Sequence, residues 1–149
     1  MFYGRVSSQY KRSSIETAGK LDQIIMLYDR AIQLLEQAKD HIREKEVDKK
    51  ISKFQKALDI INALQNCLDM EQGGQIARNL DSLYSYITKR LLVGDIRKDF
   101  TAYDESIKIL NELREAWIAI KTGEDSRQDA PINNRDMLRQ ETSHIAAIF

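Results

Sequence analysis

The chain is 149 residues long, 42% hydrophobic and 31% charged, a size and balance that suit one soluble domain with its own core rather than two. Its 23 Lys plus Arg equal its 23 Asp plus Glu, which leaves no net positive field to attract nucleic acid or anionic lipid. The single cysteine, Cys67, cannot pair within the chain, the opening MFYGRVSSQYKRSS lacks the apolar run of a secretory signal, and no stretch approaches the roughly 20 apolar residues that span a bilayer. A cytoplasmic location is expected.

The first periodic run places Leu21, Ile24, Ile25, Tyr28, Ala31, Ile32, Leu35, Ala38 and Ile42 on one helical face. Ser13 with Glu16 matches a capping box, yet Gly19 would cost about 1 kcal/mol inside a helix, so the firm start is predicted near Lys20. The polar REKEVDKK holds a bend, and Val47, Ile51, Phe54, Leu58, Ile61, Leu64 and Leu68 define a second helix. Beyond Gly73 and Gly74, a third helix carries Ile76, Leu80, Leu83, Tyr84, Ile87 and Leu91. Val93-Gly94-Asp95 reads as a stop, with Gly94 as a left-handed cap. A fourth helix carries Phe100, Tyr103, Ile107, Leu110, Leu113, Arg114, Trp117 and Ile120. Short connections make sequence neighbours antiparallel, so the expected fold is all-α, an up-and-down four-helix bundle. It occupies residues 1–122, with a short N-terminal segment over about 1–16. Residues 123–149 form a polar linker, holding Pro131, and a short apolar tail able to form a further helix.

Chemistry finds little footing in these residues. A phosphate-binding glycine loop follows a strand or carries a lysine and a hydroxyl at fixed spacing, whereas Gly73 and Gly74 follow a helix; they read as a helical corner needing positive φ. His41 and His144 are the only histidines, and the lone Glu141/His144 pair falls short of the ligand set of a di-iron bundle. Cys67 lies beside Leu64 and Leu68 with no histidine near it in sequence, and reads as a buried small residue. No catalytic residue, metal or cofactor is expected.

Leu27 and Leu34 widen the apolar face of the first helix to about 180°, against the usual 100° or slightly more, and Ile60 and Cys67 widen the second. Either the helix is buried on most sides, or an apolar groove lies outside the bundle. The third helix adds a mixed stripe of Asn79, Tyr86 and Val93 with Arg90, suited to recognition or to a half-exposed rim.

LYDRAIQLLEQA (27–38), LDMEQGGQIARNLDSLYSYITKRLL (68–92) and ELREAW (112–117) resemble the FliS family of flagellar secretion chaperones, with their M-L-Y-D-G-A segment, G-G-x-I-A-x-N-L-x-x-L-Y-x-Y corner and closing tryptophan. The similarity covers about Tyr10 to Ile120. It implies a non-catalytic cytoplasmic bundle that binds the disordered C-terminal segment of flagellin, prevents its premature polymerisation and delivers it to the flagellar export gate. By motif position the resemblance assigns Leu27, Tyr28, Asp29, Ile76, Asn79, Leu80, Leu83, Tyr84 and Tyr86 to the groove and its support, and the wide face of the first helix adds Leu34, the apolar face of the third Ile87, and its mixed stripe Arg90. Tyr10 matches an N-terminal tyrosine that the resemblance places over the empty client groove. Gly19-Lys20 stands where the family has Ser-Pro, and Arg30 where it has glycine. The apolar HIAAIF on its polar tether is expected to occupy the groove of its own or a neighbouring molecule. A structural adaptor for a coiled-coil or other helical partner is the alternative.

Overall fold

In a computed structural model, which describes the backbone of residues 2–126 and the side chains of residues 19–123, the four periodic runs become four helices and no strand is present among the described residues. They are α1 (Phe2–Arg43), α2 (Val47–Asn66), α3 (Gly74–Arg97) and α4 (Phe100–Ser126). Cross-helix pairs fix an antiparallel register throughout: Asp22 with Lys121, Asp29 with Arg114 and Lys39 with Asp104 tie α1 to α4. Gln65 with Asp81 and Lys50 with Asp95 tie α2 to α3, and Arg90 with Glu105 ties α3 to α4. The core runs along the shared axis through Leu34, Leu35, Ile61, Leu64, Ile87, Leu91 and Leu110, all sealed from solvent. Each such aliphatic side chain contributes roughly 1.5–3 kcal/mol on burial. Of the four neighbouring helix pairs, α1 with α2 is packed most extensively and α2 with α3 least.

Each corner has its own chemistry. Lys45 turns the chain between α1 and α2 with a φ of 59°. Between α2 and α3 the Asp69 carboxylate accepts from the backbone N–H of Glu71 at 3.1 Å and of Gln72 at 3.0 Å, and Gly74 enters α3 at a φ of +56°. That is the left-handed conformation only glycine adopts freely, so the glycine pair is a turn. Between α3 and α4, Asp99 accepts from the Thr101 N–H at 3.0 Å and so supports the start of α4.

Four expectations need correction. Helix α1 runs through Gly19 from Phe2 instead of starting near Lys20, and the backbone of the N-terminal segment belongs to it. One interior glycine costs about 1 kcal/mol, less than stopping and nucleating a second helix. Gly94 caps nothing: α3 continues to Arg97 and the left-handed cap is Lys98, at φ 54° and ψ 42°. A Cβ on Gly94 would lie 2.2 Å from the Ala102 Cβ, so this glycine lets α3 and α4 cross closely. Cys67, the C-cap of α2, is exposed: its backbone is still helical, and continuing the turn puts it at the margin of the face that buries Leu58, Ile61 and Leu64. Helix α4 extends past the expected boundary to Ser126, and the tail lies outside the described residues.

Candidate functional site

The motif aromatics meet inside the bundle. The Tyr28 and Tyr84 hydroxyls are hydrogen-bonded to each other, joining α1 to α3 by a polar contact in an apolar interior, and the buried Trp117 of α4 belongs to the same core. Burial holds both phenols protonated, raising their pKa above the ordinary value of 10.0. Tyr28, Leu34, Leu80, Tyr84 and Ile87, all predicted for the binding site, are core residues that offer a partner no surface in this arrangement. Leu27 is half-buried against the core, and the exposed Asp29 is paired with Arg114. The side chain of Tyr10 lies outside those described.

The remaining predicted residues share one surface. Ile76, Asn79, Leu83, Tyr86 and Arg90 recur at alternating spacings of three and four, and therefore form one stripe on α3. On α4, Glu105, Ile109, Leu113 and Ile120 form a second stripe by the same rule. Contacts at one end bring the two together: the Tyr86 hydroxyl donates to Glu105 Oε1 at 2.5 Å and Arg90 Nε to Oε2 at 2.8 Å. Tyr86 and then Arg90 hold the Glu105 carboxyl below its ordinary pKa, while Glu105 raises that of Tyr86. Leu83, Ile109, Leu113 and Ile120 are partly buried against the core and form the floor. Ile76 stands 43% exposed at the other end and Tyr86 46% exposed beside the polar closure. The result is an apolar groove between α3 and α4, closed at one end by a hydrogen-bonded polar trio.

Sequence reasoning missed Glu105 and the α4 wall. Their signal was present in the four-residue spacing of Glu105, Ile109 and Leu113, but Ile109 lay outside the apolar set chosen for the fourth helix.

A second apolar surface lies on the opposite, α2-facing flank of α3, which leaves Leu92 exposed and Ile96 82% exposed beside Asp95, the residue that meets Lys50 of α2, and α2 itself exposes Val47 and Ile51 on either side of Lys50. Beneath it Lys50 Nζ lies 3.1 and 3.0 Å from the Asp95 carboxylate oxygens, and the Tyr103 hydroxyl donates to Asp95 Oδ1 at 2.7 Å. This network pins α2, α3 and α4 together at the end remote from the aromatic centre. An open cleft of about 630 Å³ between α1 and α2 is lined by Gln37, His41, Asp48, Lys49, Ser52 and Lys53. Among the described residues no three potential metal-ligating side chains gather, and no helix is long and apolar enough to cross a membrane.

An all-helical bundle whose distinctive surface is an apolar groove, not a pocket of converging titratable groups, falls in the class of helical binding proteins. The family model described as Flagellar protein FliS matches residues 4–124, and the chain belongs to that family, whose members are chaperones and not enzymes. The chain is 36% identical over 112 residues to the flagellar secretion chaperone FliS of Vibrio cholerae, covering 72% of this chain and 82% of the relative. It is 37% identical over 116 residues to that of Salmonella typhimurium, covering 77% and 84% respectively. With the flagellar secretion chaperone FliSB of Pseudomonas aeruginosa it shares 32% identity over 124 residues, covering 80% of this chain and 98% of the relative.

Proposed function

We propose that this chain is a cytoplasmic flagellar secretion chaperone that holds the disordered C-terminal segment of flagellin in the α3–α4 groove, blocks its premature polymerisation and delivers it to the flagellar export gate. The observation that carries the reading is the apolar floor of Leu83, Ile109, Leu113 and Ile120, left partly open after the bundle has satisfied its own core. A disordered client that folds on binding loses conformational entropy worth several kcal/mol, and only a long apolar surface offsets that cost. An amphipathic client helix would set its apolar face on this floor, with Tyr86, Asn79 and Arg90 reading its polar edge. The flank of α3 carrying Leu92 and Ile96 stays free in this arrangement, which leaves surface for a second partner such as the gate.

The test is titration of the full chain with a peptide of the flagellin C-terminal segment, read by calorimetry and by induced helicity. Saturable binding with a negative heat-capacity change and a rise in helix content is expected. Asn79→Ala and Tyr86→Ala should each weaken binding roughly tenfold, as edge contacts of a hot-spot region do, with the melting temperature nearly unchanged. Silence with the peptide would favour the adaptor reading, and undiminished binding by both variants would remove the groove assignment.

A further inference from the structure

Four apolar side chains that the client groove does not use stand exposed on the α2–α3 flank: Val47 and Ile51 on α2, Leu92 and Ile96 on α3. The Lys50–Asp95 pair sets their level, because Lys50 adjoins Ile51 in sequence and Asp95 lies between Leu92 and Ile96. Single exposed apolar residues are ordinary, whereas four gathered around one ion pair mark a contact surface.

The charges beside this patch are sorted by helix. Asp48 and Asp59, eleven residues apart, fall within about 20° of one line along the outer edge of α2, and both are exposed. Arg78 and Lys89, also eleven apart, fall along the outer edge of α3 and are exposed too. Lys49 and Lys53 of α2 turn to the α1–α2 cleft, whose rim Asp48 also reaches, while Asp81 and Asp95 of α3 are held by Gln65 and Lys50. Asp59 accepts from Gln55 and Arg78 donates to Gln75, neutral partners that leave each charge uncompensated. One edge is acidic and the other basic.

Such a surface is complementary to itself. A two-fold axis parallel to the helices lays α2 of each copy on α3 of the other at the same level. The pairs Lys50–Asp95 and Gln65–Asp81 put Ile51 level with the interval between Leu92 and Ile96, and Asp59 within a turn of Lys89. Both contacts then form twice. A two-fold axis across the helices stacks α2 on α2 and α3 on α3, setting acid against acid and base against base, so charge selects the first arrangement.

We propose that two copies of this chain associate through the α2–α3 flank about a two-fold axis parallel to the helices, with Ile51 of each packed between Leu92 and Ile96 of the other and Asp59 facing Lys89. The contact is independent of the client reading, because the α3–α4 groove lies on the other flank of α3. Four apolar side chains from each copy make a small core, so the dimer is weak and concentration-dependent, and any other partner on this flank must first part the copies. Sedimentation equilibrium of the full chain from low to several hundred micromolar should show the mass rising from that of one chain towards two. Ile96→Asp, a change at a solvent-exposed side chain, should abolish the rise and leave the melting temperature of the dilute protein unchanged. D59K and K89E should each weaken association roughly tenfold, since each acts twice, and D59K/K89E should restore it, because the exchanged charges again face their opposites. A one-chain mass throughout the range would overturn the proposal, as would association undiminished in Ile96→Asp or a double variant that associates no better than its singles.

Discussion

Gly94→Ala gives the sharpest test of how the groove's closed end is built. In a helix interior the change alone would stabilise by about 1 kcal/mol, because alanine has the higher helix propensity. Here the new Cβ would lie 2.2 Å from the Ala102 Cβ and 3.5 Å from the Asp99 carbonyl oxygen. Carbon atoms pack at about 3.5–4.0 Å, so α3 and α4 must part by more than 1 Å, and alanine has no rotamer that avoids the contact. Overpacking of this kind costs about 1–3 kcal/mol, and the bare backbone crossing puts this site at the upper end. The expected net loss is about 1–2 kcal/mol, or roughly 3–6 °C in melting temperature for a domain of this size. Gly19→Ala is the internal control: nothing lies within 4 Å of its added Cβ, so it should raise stability by up to about 1 kcal/mol. Ala102→Gly in the Gly94→Ala background should restore most of the loss, a coupling that a double-mutant cycle in urea measures. Peptide affinity should fall with Gly94→Ala, because Glu105 lies three residues beyond Ala102 and its hold on Tyr86 and Arg90 depends on the helix spacing. A Gly94→Ala protein as stable as the parent, or more so, would refute the close crossing.

Tyr28→Phe should cost about 1–3 kcal/mol in chemical denaturation by leaving the Tyr84 hydroxyl buried without its partner, and adding Tyr84→Phe should recover part of it; additive losses would deny the pair. Glu105 has a folded-state pKa below its ordinary 4.5, so its network's contribution is fully present above about pH 4.5 and is lost as acid carries the pH down through the folded value. NMR titration should show the Glu105 pKa rising in Tyr86→Phe, and an unmoved titration would separate the two residues. The Cys67 thiol should react with a disulfide reagent in the native protein as readily as a small-molecule thiol; reaction only on unfolding would contradict its exposure at the end of α2.

The helices and their order were legible in the chain because three-and-four periodicity is a local property, and the glycine corner was legible because positive φ is a demand on one residue. Helix ends were less so: Gly19 reads as a start and Gly94 as a stop, yet both lie inside helices. The first is carried by propagation of the helix around it, and the second by what stands across from it. Tyr84 and Tyr86 look alike in the motif, but positions two apart differ by about 200° around a helix, so one is sealed in the core and the other stands at the groove. Leu34 and Leu27 widen the same face, but only Leu34 is fully enclosed by neighbouring helices. What the sequence settled by itself is which residues are helical and which faces are apolar. Which apolar face another helix covers, and that Glu105 would meet Tyr86 and Arg90, belonged to the tertiary structure, because burial is a property of pairs of helices and is written in neither one alone.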